Sequence, residues 1–135
     1  MSSAMATIDL KVPPEEVWQL IGGFGSLPDW IPGVTQIKLA EGGRVRYLHD
    51  RGGQTFVEQL EHYDSAARSY SYSILQSPFS ISGYLATITV TPINGGRGSH
   101  VEWSSTYTPL EMSEKEAREV FEGIFSAGLA ALASR

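Results

Sequence analysis

The sequence predicts a single α+β domain, in which a strongly curved antiparallel sheet of about seven strands closes around a long C-terminal helix. Three observations predict it. From Val34 onward the apolar residues recur with a period of two, in stretches separated by short Gly-rich turns. From Ser113 the period becomes helical behind a capping box. Between the first apolar stretch and Val34 lie two short segments punctuated by Pro and Gly, which suit short helices.

Taken in order, the first strand runs from Ala6 to Lys11 and is ended by Val12-Pro13-Pro14, because proline cannot continue a ladder. Pro14 then fits the first turn of a helix through Ile21. Val17, Leu20 and Ile21 share one face of it, Trp18 sits beside them, and Glu15 and Glu16 favour the positive end. Gly22-Gly23 stops this helix. A second helical piece spans Ser26 to Trp30 and ends before Pro32-Gly33. Candidate strands follow at 34–40, 44–50, 54–63, 68–76, 82–92 and 98–108. Their connections include Glu41-Gly42-Gly43, Arg51-Gly52-Gly53 and Asn94-Gly95-Gly96, short and tolerant of positive φ, so consecutive strands form an antiparallel meander. In the final helix, over 113–133, Ser113 and Glu116 make the capping box. Ala117, Val120, Phe121, Ile124, Phe125, Gly128, Leu129 and Leu132 form its apolar stripe, with Glu114, Lys115, Arg118, Glu119 and Glu122 on the other side.

Composition narrows the function classes. The 135 residues hold one ordinary core and are read as one domain, 1–135. With no cysteine, disulfides, thiolate catalysis and thiolate metal sites are excluded. A formal charge of −5 leaves no basic stripe for nucleic acid. No apolar run is long enough to span a bilayer, and Met1 to Ala6 lacks an export pattern, so the expected place is the cytoplasm, with a homodimer left open. His49, His62 and His100 lie near different strand ends without metal-ligand spacing. No Gly-x-Ser-x-Gly elbow or phosphate-binding loop occurs, so neither a metal nor any other cofactor is called for.

Alternation sorts the strand residues by face. Phe56, Glu58 and Leu60 fall on the more apolar face of their strand and point inward. Tyr70, Tyr72 and Ile74 follow in phase on the next, then Tyr84, Ala86, Ile88 and Val90, then Val101, Trp103, Ser105 and Tyr107. Phe121, Phe125 and Leu129 of the last helix should face Tyr72, Tyr84 and Trp103. Such a lining of aromatic surfaces with a few hydroxyls suits a slot for a flat or amphipathic ligand, and it equally suits a filled core, the preferred reading for Tyr70, Ile88 and Trp103. Glu58 is the informative residue, since an inward carboxylate must be paired, hydrogen-bonded or neutralised. Arg46, on a neighbouring strand, is its natural partner. The alternatives are a structural Arg46–Glu58 ion pair, a Glu58 that orients a ligand hydroxyl or accepts a proton, and a different strand register that leaves it exposed to solvent.

The order strand, Pro14-Glu15-Glu16-Val17-Trp18 helix, Phe24 to Trp30 segment, six strands and terminal helix resembles the START/Bet v 1-like (SRPBCC) helix-grip superfamily, and within it the bacterial polyketide cyclase/dehydrase-like branch. Leu27-Pro28-Asp29-Trp30-Ile31-Pro32, Arg46, Phe56-Val57-Glu58-Gln59-Leu60 and Tyr70-Ser71-Tyr72-Ser73-Ile74 carry the local likeness. The resemblance implies a cavity between sheet and helix that takes a lipid, polyketide or aromatic metabolite. It also admits a cofactor-independent cyclase or dehydratase using Glu58 with Tyr72 or Tyr84. Glu58 and Tyr84 match pocket residues of the plant abscisic-acid receptors in the same superfamily. Those receptors' gate and latch are replaced here by Asp50-Arg51-Gly52-Gly53-Gln54 and Gln76-Ser77-Pro78-Phe79-Ser80, and their lysine anchor has no match although Lys38 lies on the corresponding strand. Hormone reception is therefore not implied.

Overall fold

The computed structural model describes residues 2–135. Its elements are β1 (Ser2–Leu10), α1 (Pro14–Ile21), α2 (Leu27–Trp30), β2 (Val34–Ala40), β3 (Val45–Asp50), β4 (Thr55–Asp64), β5 (Ser69–Gln76), β6 (Ile81–Ile93), β7 (Gly98–Pro109) and α3 (Glu114–Ala133). The seven strands form one antiparallel sheet in the order β1-β7-β6-β5-β4-β3-β2, wrapped around α3. The meander accounts for β2 to β7. β1 then pairs with β7, and α1 and α2 carry the chain from one edge of the sheet to the other.

Glu41 and Asn94 open the β2–β3 and β6–β7 connections in left-handed backbone, at φ 52° and 53°. The two following glycines continue each turn at positive φ, where a side chain is disfavoured. Ser113 caps α3 as its sequence predicts: its Oγ accepts from the Glu116 N–H at 3.0 Å, and the Glu116 carboxylate accepts from the Ser113 N–H at 3.1 Å. These hydrogen bonds hold the Glu116 carboxyl below its ordinary pKa.

The first strand differs from expectation. It begins at Ser2 rather than Ala6 and ends at Leu10. Ser2 and Ala4 pair opposite Tyr107 and Ser105 of β7 and are buried against α3. Small side chains there let the helix lie close, a tertiary reason that a local hydrophobic pattern does not carry. The alternation on β6 and β7 is obeyed strictly: Tyr84, Ala86, Ile88 and Val90, with Val101, Trp103, Ser105 and Tyr107, are all buried. On the opposite face, Ser69 meets Thr89 at 2.8 Å and Ser71 meets Thr87 at 2.9 Å, hydroxyl pairs that tie β5 to β6. Among the described residues, no helix is long and apolar enough to cross a membrane.

Candidate functional site

The inner face of the sheet and the apolar stripe of α3 do not close completely. Between them lies a cavity of about 410 Å³. Its buried wall is built by Leu48 from β3, Tyr72 from β5, Tyr84 from β6, Trp103 from β7 and Phe121 and Phe125 from α3. Half-buried Phe56 and Ile74 add to it. Exposed residues at the rim, namely Pro32, Gly33, Ile124 and Ala127, put the mouth between the α2–β2 connection and α3, with His49 and Asp50 at the end of β3 beside it.

Specific packing shapes this space. Phe125 stacks on Trp103 at 4.6 Å between ring centres, and Phe121 lies 5.0 Å from Tyr84. Gly128 lets the helix approach, since a Cβ there would sit 2.9 Å from the Trp103 ring. The β6–β7 register shifts between Ser82 and Leu85, and Gly83 in that bulge takes φ 61°. The bulge aims Tyr84 inward. β5–β6 pairing also stops at Ser73 and Leu85, which leaves the two strands splayed toward their connection. Phe79 of that connection fills the gap against Phe56 and Phe121, at 5.8 and 5.4 Å.

Apart from His49 and Asp50 at the mouth, the polar side chains gather at the buried end. Arg46 and Glu58 are directly opposite in the β3–β4 register, so the ion pair is set by sheet geometry. Arg46 Nε donates to Glu58 Oε1 at 2.8 Å and Nη2 reaches the same oxygen at 2.7 Å. Nη1 donates to the Phe24 carbonyl at 2.9 Å and to the Tyr70 hydroxyl at 3.3 Å. The guanidinium carbon lies 4.1 Å from the Phe24 ring centre and 4.7 Å from that of Tyr72. Arg46 is therefore a buried cation with every nitrogen engaged. Tyr72 accepts a hydrogen bond from Trp103 Nε1 at 3.1 Å.

Protonation follows from this burial. Desolvation pushes the Glu58 carboxyl above its ordinary value of 4.5, opposed by the charge and hydrogen bonds of Arg46. Desolvation alone would lower the Arg46 pKa, but Tyr70, Glu58 and Tyr72 outweigh it and hold the group charged. The Tyr72 and Tyr84 phenols are both raised, by burial first and by neighbouring charge second, so each stays neutral.

Of the residues that sequence reasoning singled out, Arg46, Phe56, Glu58, Tyr72, Ile74, Tyr84, Trp103, Phe121 and Phe125 come together around the cavity. Four do not line it. Tyr70 is buried beneath Arg46 and stacks on Tyr63 at 6.2 Å. Ile88 pairs with Tyr70 one strand on, and Leu129 is buried in the core. Leu60 packs half-buried against the core, next to a register irregularity in β4. Sequence reasoning did not single out Leu27, Ile31, Val34, Leu48 or the rim residues. The histidines stay apart: His100 binds Asp9 at 2.6 Å, and His49 meets Thr55 at 3.2 Å.

Comparison with known proteins agrees with this architecture. The protein XoxI from Bacillus cereus is 47% identical over 99% of this chain and 94% of its own, with a TM-score of 0.97. An uncharacterised protein from Bacillus thuringiensis is 44% identical over 98% of this chain and 97% of its own, with a TM-score of 0.96. The aromatase/cyclase Zhui from a Streptomyces species is 16% identical over 98% of this chain and 88% of its own, at a TM-score of 0.75, a likeness of fold alone. No curated protein matches the chain. Residues 1–135 match the family described as polyketide cyclase / dehydrase and lipid transport, a helix-grip family, and the chain belongs to it.

Proposed function

We propose that this protein binds and carries a small hydrophobic or amphipathic molecule, a lipid, polyketide or aromatic metabolite, in the cavity between sheet and α3. One observation carries the reading. A space of about 410 Å³, within the range of small-molecule sites, is walled by aliphatic and aromatic side chains, with His49 and Asp50 at its mouth and its other polar side chains at the buried end. Such a site gains affinity from apolar burial and orientation from a small number of hydrogen bonds. Filling the mouth tests it. Ala127 lines the rim yet is exposed, so Ala127→Trp should fold normally while occluding the cavity. Binding of an environment-sensitive apolar dye by the wild type should weaken about tenfold or more in the variant, with an unchanged thermal midpoint. A wild type that binds no apolar probe would refute the reading.

A second reading, a cofactor-independent cyclase or dehydratase, is favoured by one feature. Both Arg46 contacts go to Oε1 of Glu58, and no donor among the described residues bonds Oε2. Oε2 would then accept a proton from a carbon beside a ligand carbonyl, while the neutral Tyr72 or Tyr84 phenol donates a hydrogen bond to the developing oxyanion. Under this reading Glu58→Gln abolishes turnover with little change in ligand affinity; under carriage alone there is no turnover to lose.

A further inference from the structure

We infer that the cavity selects uncharged ligands bearing a hydroxyl on a flat apolar body, and discriminates against carboxylates of the same shape. The inference rests on the binding reading above and adds a ligand class to it. Arg46 is the one Lys or Arg on the cavity wall among the described residues, and in most sites it would be the hook for an anion. Here it is not available. Its three nitrogens bond Glu58 Oε1, the Phe24 carbonyl and the Tyr70 hydroxyl, and its charge is already balanced by Glu58. A ligand carboxylate brought to this end would meet the Glu58 carboxylate without a free cation, in a place stripped of water.

The groups that remain free are of a different kind. Glu58 Oε2 is an acceptor on the cavity wall that no donor of the described residues fills. Tyr72 already accepts from Trp103 Nε1 and hydrogen-bonds the neighbouring Tyr84 hydroxyl, so of the two phenol protons one remains for a ligand. A hydroxyl complements both at once, since it donates to Oε2 and accepts from the Tyr72–Tyr84 phenol pair. The neutrality of Tyr72 and Tyr84, enforced by burial, keeps the donor role intact. The stacked Trp103 and Phe125 rings and the Phe121 ring against Tyr84 supply flat surfaces for the ligand body.

Three probes of matched shape separate the terms: 2-methylnaphthalene, 2-naphthol and 2-naphthoate, titrated into the full chain at neutral pH. The first measures apolar binding alone; the second adds a neutral hydroxyl and the third an anion. The expected order is 2-naphthol tightest, with 2-naphthoate about tenfold or more weaker than the naphthol. Equal or tighter binding of 2-naphthoate overturns the inference while leaving cavity binding intact. Failure of all three to bind overturns the binding reading itself, and the inference with it. In the double variant Tyr72→Phe with Tyr84→Phe the advantage of 2-naphthol over 2-methylnaphthalene should shrink while 2-methylnaphthalene affinity is kept. A doubly substituted protein with full discrimination also overturns the inference.

Discussion

Arg46 and Glu58 show how one pair of residues serves both the fold and the cavity. Each is nearly inaccessible to solvent, so each depends on the other for its charge. Where the wild-type carboxylate is ionised, Glu58→Gln leaves the buried guanidinium uncompensated and should lower stability by about 3 kcal/mol. Replacing both partners, as Arg46→Met with Glu58→Leu, should recover most of that loss in chemical denaturation. Carboxyl titration gives an independent reading. Because the folded-state pKa lies above the ordinary 4.5, the folded protein holds this proton more tightly than the unfolded chain. The stability this group contributes is fully present below the unfolded value and is lost as pH rises through the folded midpoint. Carbon-13 NMR of Glu58 should show a midpoint above 4.5, and Glu58→Gln should remove that part of the pH slope. A midpoint at or below 4.5 would contradict the desolvated environment.

At the scale of elements, α3 depends on its contact with Trp103. Phe125→Ala removes a ring stacked at 4.6 Å and should cost on the order of 3 kcal/mol, less if the vacated space merges with the cavity. Gly128→Ala raises helix propensity but drives a methyl to 2.9 Å from Trp103, which is itself held by Phe125, Trp30 and Tyr72. The net result should be a loss of about 1 kcal/mol in denaturation rather than the gain seen at an open helical glycine. The elements themselves were largely legible, because their signals are local. Alternation and Gly turns mark β2 to β7, and Ser113 with Glu116 marks the start of α3. The N-terminal half of β1 was not legible, since Ser2 and Ala4 are inward only because the helix needs small neighbours there. The splayed end of β5 and β6 was also hidden, as it depends on a bulge at Gly83 and Tyr84.

Over the whole molecule, the site divides along the same line. Residues in the middle of strands, such as Arg46, Glu58, Tyr72 and Trp103, could be assigned to the inner face from period alone. Rim residues could not, because Pro32, Gly33, Asp50 and Ala127 come from element ends and a helix edge that only the folded chain brings together. The void itself is a property of the assembled domain, where curved sheet and amphipathic helix fail to meet fully. That void is the central claim, and methyl NMR with an apolar probe addresses it directly. On titration with 2-methylnaphthalene, the methyl signals of Leu48, Ile74 and Ile124, which line the cavity, should shift in a saturable manner. Those of the exposed Leu75 and Leu85 should stay in place. Shifts confined to Leu75 and Leu85, or no saturable shift at the cavity methyls, would contradict a ligand site between the sheet and α3.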